Sequence, residues 1–141
     1  MMALAQVALK RVVYVSQARP VKPGQSMAQM VDEILAVSRR NNLRRGLTGA
    51  LVCGAGRFAQ VLEGPADQVD LVLSIIGQDP RHTGLTLLED AAAERRAFAN
   101  WTMALLEDVE LLPEELAEAG GALGLVLRLR SVLREGAALA S

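Results

Sequence analysis

Residues 46–64, GLTGALVCGAGRFAQVLEG, contain two short apolar runs around Gly54-Ala55-Gly56, a turn able to take the positive φ that a tight hairpin demands. The stretch predicts a β-hairpin. Side chains alternate along a strand, so Phe58, Gln60 and Leu62 share one face of the second run, and Arg57, Ala59 and Val61 share the other. An amide is thereby set among apolar neighbours. Leaving a buried carboxamide unpaired costs about 1–3 kcal/mol, so Gln60 needs a designated partner that the rest of the chain must supply.

Upstream, KRVVYVSQA at residues 10–18 is β-branched and apolar enough for a buried strand, with Val12, Tyr14 and Ser16 on one face and Val13 and Val15 on the other. The prolines and glycine of residues 19–24 predict a loop. Ser26 then opens a Ser-x-x-Gln capping box with Gln29, and Met27, Met30, Val31, Ile34 and Leu35 recur at helical spacing. At 100° per residue Asn41 lies about 20° from Ile34, Ser38 about 40° and Asn42 about 80°, so polar groups extend the buried stripe at its end. Taken alone, Asn41-Asn42 reads as a helix C-cap. Arg39, Arg40, Arg44 and Arg45 read as a solvated helix end that complements the helix dipole, not as a phosphate site.

Downstream of the hairpin, Gly64-Pro65-Ala66-Asp67 starts a second helix with Val69, Val72, Leu73 and Ile76 as its apolar stripe. Residues 78–82 end it, residues 83–88 form a fourth strand, and the charged residues 89–96 are expected to be an exposed connection. Residues 98–106 then predict a fifth strand in which Trp101 and Met103 share parity. The order βαββαββ matches an α+β, ferredoxin-like arrangement: a five-stranded mixed sheet, its first and third strands central, with both helices on one face. Tyr14 and Gln60 then sit on neighbouring strands, and Tyr14 becomes the expected partner of the amide. Beyond residue 110 two further amphipathic helices are expected to cover the other sheet face, formed by Val13, Val15, Ala59 and Val61, or else to make a homodimer contact.

The formal net charge of −1 gives no basic footprint for nucleic acid. One cysteine allows no internal disulfide, no Cys/His cluster has metal-ligand spacing, and Cys53 reads as a small buried hydrophobe. At the N-terminus Lys10 and Arg11 follow the apolar residues instead of preceding them, so no signal peptide is expected. No run approaches the roughly 18 apolar residues of a membrane span. The expected setting is the cytoplasm, with no membrane partner. His82 is the only histidine, and no Ser or Cys is expected beside it, so a nucleophile and base arrangement is not expected. There is no P-loop and no dinucleotide fingerprint. The inward polar set of Tyr14, Ser16, Ser38, Asn41, Asn42 and Gln60, with Ile34 and Phe58 as walls, suits a planar ligand that has an apolar body and one polar edge. An isoalloxazine ring is such a ligand.

The segments Val12-Val13-Tyr14-Val15-Ser16, Ser38-Arg39-Arg40-Asn41-Asn42, Leu47-Thr48-Gly49, Gly56-Arg57-Phe58-Ala59-Gln60-Val61-Leu62-Glu63-Gly64, Asp79-Pro80-Arg81-His82 and Trp101-Thr102-Met103 occur in this order over about residues 10–107. Together they resemble the BLUF family of blue-light sensors using FAD. The resemblance implies an N-terminal extension (1–9), a flavin-binding domain (10–107) and a C-terminal helical extension (108–141).

It also implies roles. Asn42 would bond the flavin's carbonyl and imide edge with Asn41 assisting, Gln60 would lie between Tyr14 and the flavin N5/C4 carbonyl region, and Ile34 and Phe58 would flank the ring. Asp79, Arg81 and His82 would meet the ribityl and phosphate end, although Asp79 and Arg81 also read as a surface pair. The implied mechanism is electron and proton donation from Tyr14, rotation or tautomerisation of Gln60, a small red shift, and transmission through Met103 and Trp101 to a downstream protein partner. Equal parity lets both residues face the pocket, and the sequence leaves open which one occupies it. Beside this sensor, which is not an enzyme and holds no metal, stand a flavin-dependent oxidoreductase and a ligand-free interaction module.

Overall fold

The computed structural model describes residues 8–54 and 56–107. They form β1 (Leu9–Ala18), α1 (Met27–Arg45), β2 (Thr48–Gly54), β3 (Arg57–Pro65), α2 (Ala66–Gly77), β4 (His82–Ala93) and β5 (Ala104–Glu107). The sheet order is β4-β1-β3-β2-β5. Every pairing is antiparallel except β2 with β5, so the sheet is mixed, with β1 and β3 in the middle. This is the α+β architecture the sequence predicts. The two C-terminal helices of that expectation lie outside the described residues.

Local chemistry sets the boundaries of α1. Ser26 Oγ accepts from the Gln29 amide while Gln29 Oε1 accepts from the Ser26 amide, a reciprocal cap that satisfies two N–H groups the helix cannot. Such caps contribute about 1 kcal/mol. The helix does not stop at Asn41-Asn42, as a C-cap there would require; it runs on to Arg45 and ends at Gly46, whose φ of 72° suits a residue without Cβ. Both asparagines are thereby held on a rigid helical face.

Alternation divides the core in two. Val12, Leu51, Phe58 and Leu62 pack beneath Met30, Val31 and Leu35 of α1 and Val69 of α2, so both helices cover one face. Cys53 is buried in the same cluster. Val13, Ala50, Val52, Ala59 and Val61 form the opposite face, against which Phe98, Ala97 and Trp101 pack.

Two strand boundaries differ from expectation. Residues 89–93 belong to β4, which pairs with β1 from Leu9 to Ala18; among the described residues only one side of this edge strand has a partner, so charged residues are tolerated along it. Residues 98–103 precede β5, which starts at Ala104. Trp101 N–H donates to the Phe98 carbonyl at 3.0 Å, a turn that breaks the strand parity assumed for Trp101 and Met103.

Glu63 anchors that connection from within. Its carboxylate, 1% exposed, accepts from the amides of Ala97 (2.8 Å) and Phe98 (2.5 Å), from Thr48 Oγ1 (3.1 Å) and from Arg11 Nε (3.3 Å). Arg96 adds bonds to Thr48 Oγ1, the Glu63 carbonyl and the Gly46 carbonyl. A buried charge survives only where its lone pairs are filled in this way.

Candidate functional site

A cleft of about 830 Å³, including its open mouth, lies between α1, α2 and the sheet. Ile34, Leu51, Phe58, Leu62, Val72 and Ile76 give it apolar walls, while Ser38, Asn41, Asn42 and Gln60 bring polar groups to it. Of the residues singled out from the sequence, Tyr14, Ile34, Ser38, Asn41, Asn42, Phe58, Gln60, Asp79, Arg81 and His82 line it, whereas Ser16 of the inward polar set does not. Met103 reaches Gln60 from beside the cleft. Val37, Arg45, Leu51, Leu62, Val72, Ile75 and Ile76 also line it, without having been singled out as ligand contacts. Arg45, assigned from sequence to a solvated helix end, donates to Gln68 Oε1 at 3.1 Å as it lines the cleft.

Tyr14 and Gln60 are paired residues of the β1–β3 ladder. Their side chains project to the same face, and the Tyr14 hydroxyl donates to Gln60 Oε1. Burial, and secondarily the charges of Asp79 and Cys53, push the Tyr14 phenol well above its ordinary pKa, which keeps it a neutral donor. With Oε1 so occupied, the amide nitrogen points away, and Gln60 Nε2 donates to Met103 Sδ at 3.7 Å. Phenol, carboxamide and thioether thus form one buried chain at the cleft wall.

Trp101 is not part of that chain. It is half-buried against the opposite face with Val13, Ala59 and Phe98, whereas Met103 is buried with the helix-facing cluster. The sequence left this choice open; the turn before β5 resolves the two positions onto different faces.

Asn42 is 2% exposed and donates through Nδ2 to the Thr102 carbonyl at 2.7 Å. A single side chain therefore borders the cleft and grips the connection to β5. At the other end, Asp79 and Arg81 are paired: Arg81 Nε and its terminal NH2 donate to the carboxylate at 2.5–3.1 Å. The Arg81 guanidinium holds the Asp79 carboxyl below its usual range. Receiving an anion there requires Arg81 to share or exchange this partner.

His82 corrects one expectation. A serine does stand beside it: Nδ1 lies 2.8 Å from Ser16 Oγ, and Nε2 lies 2.6 Å from the Ile76 carbonyl. A carbonyl only accepts, so Nε2 carries the proton and, in the neutral ring, Nδ1 accepts from the Ser16 hydroxyl. Ser16 is 4% exposed and absent from the cleft lining; the pair ties the start of β4 to β1 and to the end of α2. Pairing across 66 positions is invisible to local pattern, although the inward parity of Ser16 was a usable signal.

Apolar walls, the amides of Asn41, Asn42 and Gln60, and the Asp79–Arg81 pair are a lining compatible with a flavin. Residues 9–104 match the family described as BLUF, Sensors of blue-light using FAD. The chain is 35% identical over 89 residues to the Blue light- and temperature-regulated antirepressor BluF of Escherichia coli (strain K12), covering 62% of this chain and 21% of that one. It is 35% identical over 104 residues to Photoactivated adenylate cyclase subunit beta of Euglena gracilis, covering 72% of this chain and 11% of that one. The chain thus spans about a fifth of the length of the first relative and about a tenth of the second.

Among solved structures, the dark state of the BLUF protein BlrB aligns with a TM-score of 0.75 at 25% identity, over 89% of this chain and 97% of that one. Klebsiella pneumoniae BlrP1 with FMN and cyclic diGMP aligns with a TM-score of 0.64 at 31% identity, over 85% of this chain and 30% of that one.

Proposed function

The chain belongs to the BLUF family of sensors of blue light using FAD, and from that premise we propose that it is a light receptor, not an enzyme, whose switch is the Tyr14–Gln60–Met103 chain. The observation that carries the reading is the use of both ends of one carboxamide: Oε1 by a phenol, Nε2 by a thioether. A bound flavin supplies the blue absorption and, once excited, an electron acceptor. FAD is the form proposed here, in keeping with the family description, held by Asn41 and Asn42 at its polar edge, by Ile34 and Phe58 on its faces and by Asp79, Arg81 and His82 towards the ribityl and phosphate end.

The residues' own chemistry dictates the rest. Tyr14, neutral and buried, is the electron and proton donor, and its proton leaves towards Gln60. When the carboxamide turns over or tautomerises, the group facing Tyr14 changes from acceptor to donor. After rotation the group facing Met103 is the carbonyl oxygen, which has no proton to offer; after tautomerisation it is an imine N–H, which keeps one of its two protons. The contact to Met103 is lost in the first case and altered in the second, and β5, which follows directly, receives the change as a shift in population. A protein partner reads it; the named relatives are an antirepressor and an adenylate cyclase subunit.

Absorption under illumination tests this. The flavin-loaded protein is expected to shift to the red under blue light and return in darkness. Bleaching by NAD(P)H would favour an oxidoreductase, and a folded protein that takes up no flavin would favour an interaction module.

A further inference from the structure

Three consecutive carbonyls just before β5 are all engaged. Trp101 O accepts from the Gly49 amide at 3.1 Å, Thr102 O from Asn42 Nδ2 at 2.7 Å and Met103 O from Arg39 Nε at 3.0 Å. Two of these donors are side chains of α1, three positions apart and so on one helix face. The segment they hold contains Met103, whose side chain is 2% exposed and meets Gln60. One residue later Ala104 opens the ladder with Ala50 of β2. Whatever fixes the Met103 backbone therefore fixes both where the thioether meets the amide and where β5 begins.

Arg39 stands apart from the other two donors. Gly49 acts through its backbone, and Asn42 also lines the cleft; Arg39 does not line it. Arg39 lies within α1, well before its end at Arg45, and although the residue is exposed its Nε donates to a neutral carbonyl. We propose that Arg39 is a positioning residue of the light switch, gripping the Met103 carbonyl so that a change at Gln60 is passed to β5 and reversed from a defined starting point. This rests on the sensor reading above, but the grip itself can be tested without light.

The test uses the full flavin-loaded chain as wild type, Arg39→Met and Arg39→Lys. Backbone amide exchange across residues 104–107 is measured in darkness and under blue light, together with the red shift and its dark recovery. In the wild type, exchange at residues 104–107 rises on illumination. In Arg39→Met it is already raised in darkness, the red shift still forms because Tyr14 and Gln60 are intact, and dark recovery slows several-fold because the grip must be remade without its donor. Arg39→Lys, which keeps a cationic donor on a long stem, restores most of the wild-type behaviour.

Wild-type dark exchange at residues 104–107 in Arg39→Met overturns the grip. Unchanged recovery overturns its role in the switch. Exchange raised equally in β1 and β3 marks general loosening and also counts against the proposal. A wild type that shows no reversible shift removes the sensor reading instead, and the dark-state exchange comparison still decides whether Arg39 holds β5.

Discussion

Tyr14 and Gln60 stand directly opposite each other on the two central strands, 3% and 4% exposed, with the phenol donating to the carboxamide oxygen. Neither group has a wet alternative. A polar pair in such a place is either fully satisfied or costly, and here the amide's other end continues to Met103. The arrangement holds one orientation of the carboxamide, with a partner at each end.

The pair should behave as a coupled unit in stability. Gln60→Leu leaves the Tyr14 hydroxyl buried without its acceptor and is expected to cost about 1–3 kcal/mol, whereas Tyr14→Phe combined with Gln60→Leu costs less than the two single changes added together. Urea unfolding of the four proteins gives the coupling. Simple additivity would mean that the hydroxyl and the amide do not depend on each other.

Glu63 is a structural anchor, and removing it should be strongly destabilising. Glu63→Ala leaves Arg11, Thr48 and two backbone amides without their acceptor, and a loss of about 3–5 kcal/mol is expected. Glu63→Gln, which keeps one acceptor oxygen, should lose clearly less. Thermal or urea unfolding monitored through Trp101 fluorescence checks both, since Trp101 lies on the connection that Glu63 holds.

Stability should fall at both extremes of pH, for different residues. The folded Tyr14 keeps its proton beyond the ordinary value of about 10. The unfolded chain therefore releases that proton first, and stability declines as pH rises through about 10 towards the folded value. Asp79 is the reverse case, its carboxyl held low by Arg81: its contribution is present above about 3.9 and is lost as pH falls through the folded value. Tyr14→Phe should flatten the alkaline arm and Asp79→Asn the acid arm. As the chain has one tyrosine, tyrosinate absorbance in the folded protein reads Tyr14 alone, and its appearance at the ordinary pH would contradict the burial argument.

Gly49 sits where two strands leave no room. A Cβ there would lie 2.0 Å from the Val61 carbonyl oxygen, so Gly49→Ala must push β2 from β3 and is expected to destabilise by about 1–3 kcal/mol. It should also weaken the hold on the Trp101 carbonyl. Urea unfolding together with amide exchange in β5 measures both consequences.

How far the sequence reached can be seen element by element. The Ser26–Gln29 box, the glycine-flanked hairpin and the alternation of β1 and β3 are local signals, and with the ferredoxin-like order they put Tyr14 and Gln60 on neighbouring strands; the register that sets the two opposite each other is seen only in the structure. What escaped depends on contacts distant in sequence. The charged residues 89–93 hid the second half of β4, which continues along β1 beyond the strand predicted over residues 83–88. The strand parity assumed for Trp101 and Met103 failed because a turn, fastened by Glu63, intervenes before a very short parallel strand. Ser16 with His82, and Arg39 with the Met103 carbonyl, join residues more than 60 positions apart, and no periodicity announces such pairs. Arg39 and Arg45 read from sequence as part of a solvated helix end; Arg39 is exposed, as that reading has it, but also donates to the Met103 carbonyl, and Arg45 is half-buried at the cleft and donates to Gln68.

The most direct measurement of the central claim is the light-minus-dark absorption difference of the flavin-loaded Tyr14→Phe variant beside the wild type. The wild type is expected to show a reversible red shift, and Tyr14→Phe to retain its flavin and show none. A normal, reversible shift in Tyr14→Phe would contradict the account, because the phenol would then be neither the donor nor the group that sets Gln60.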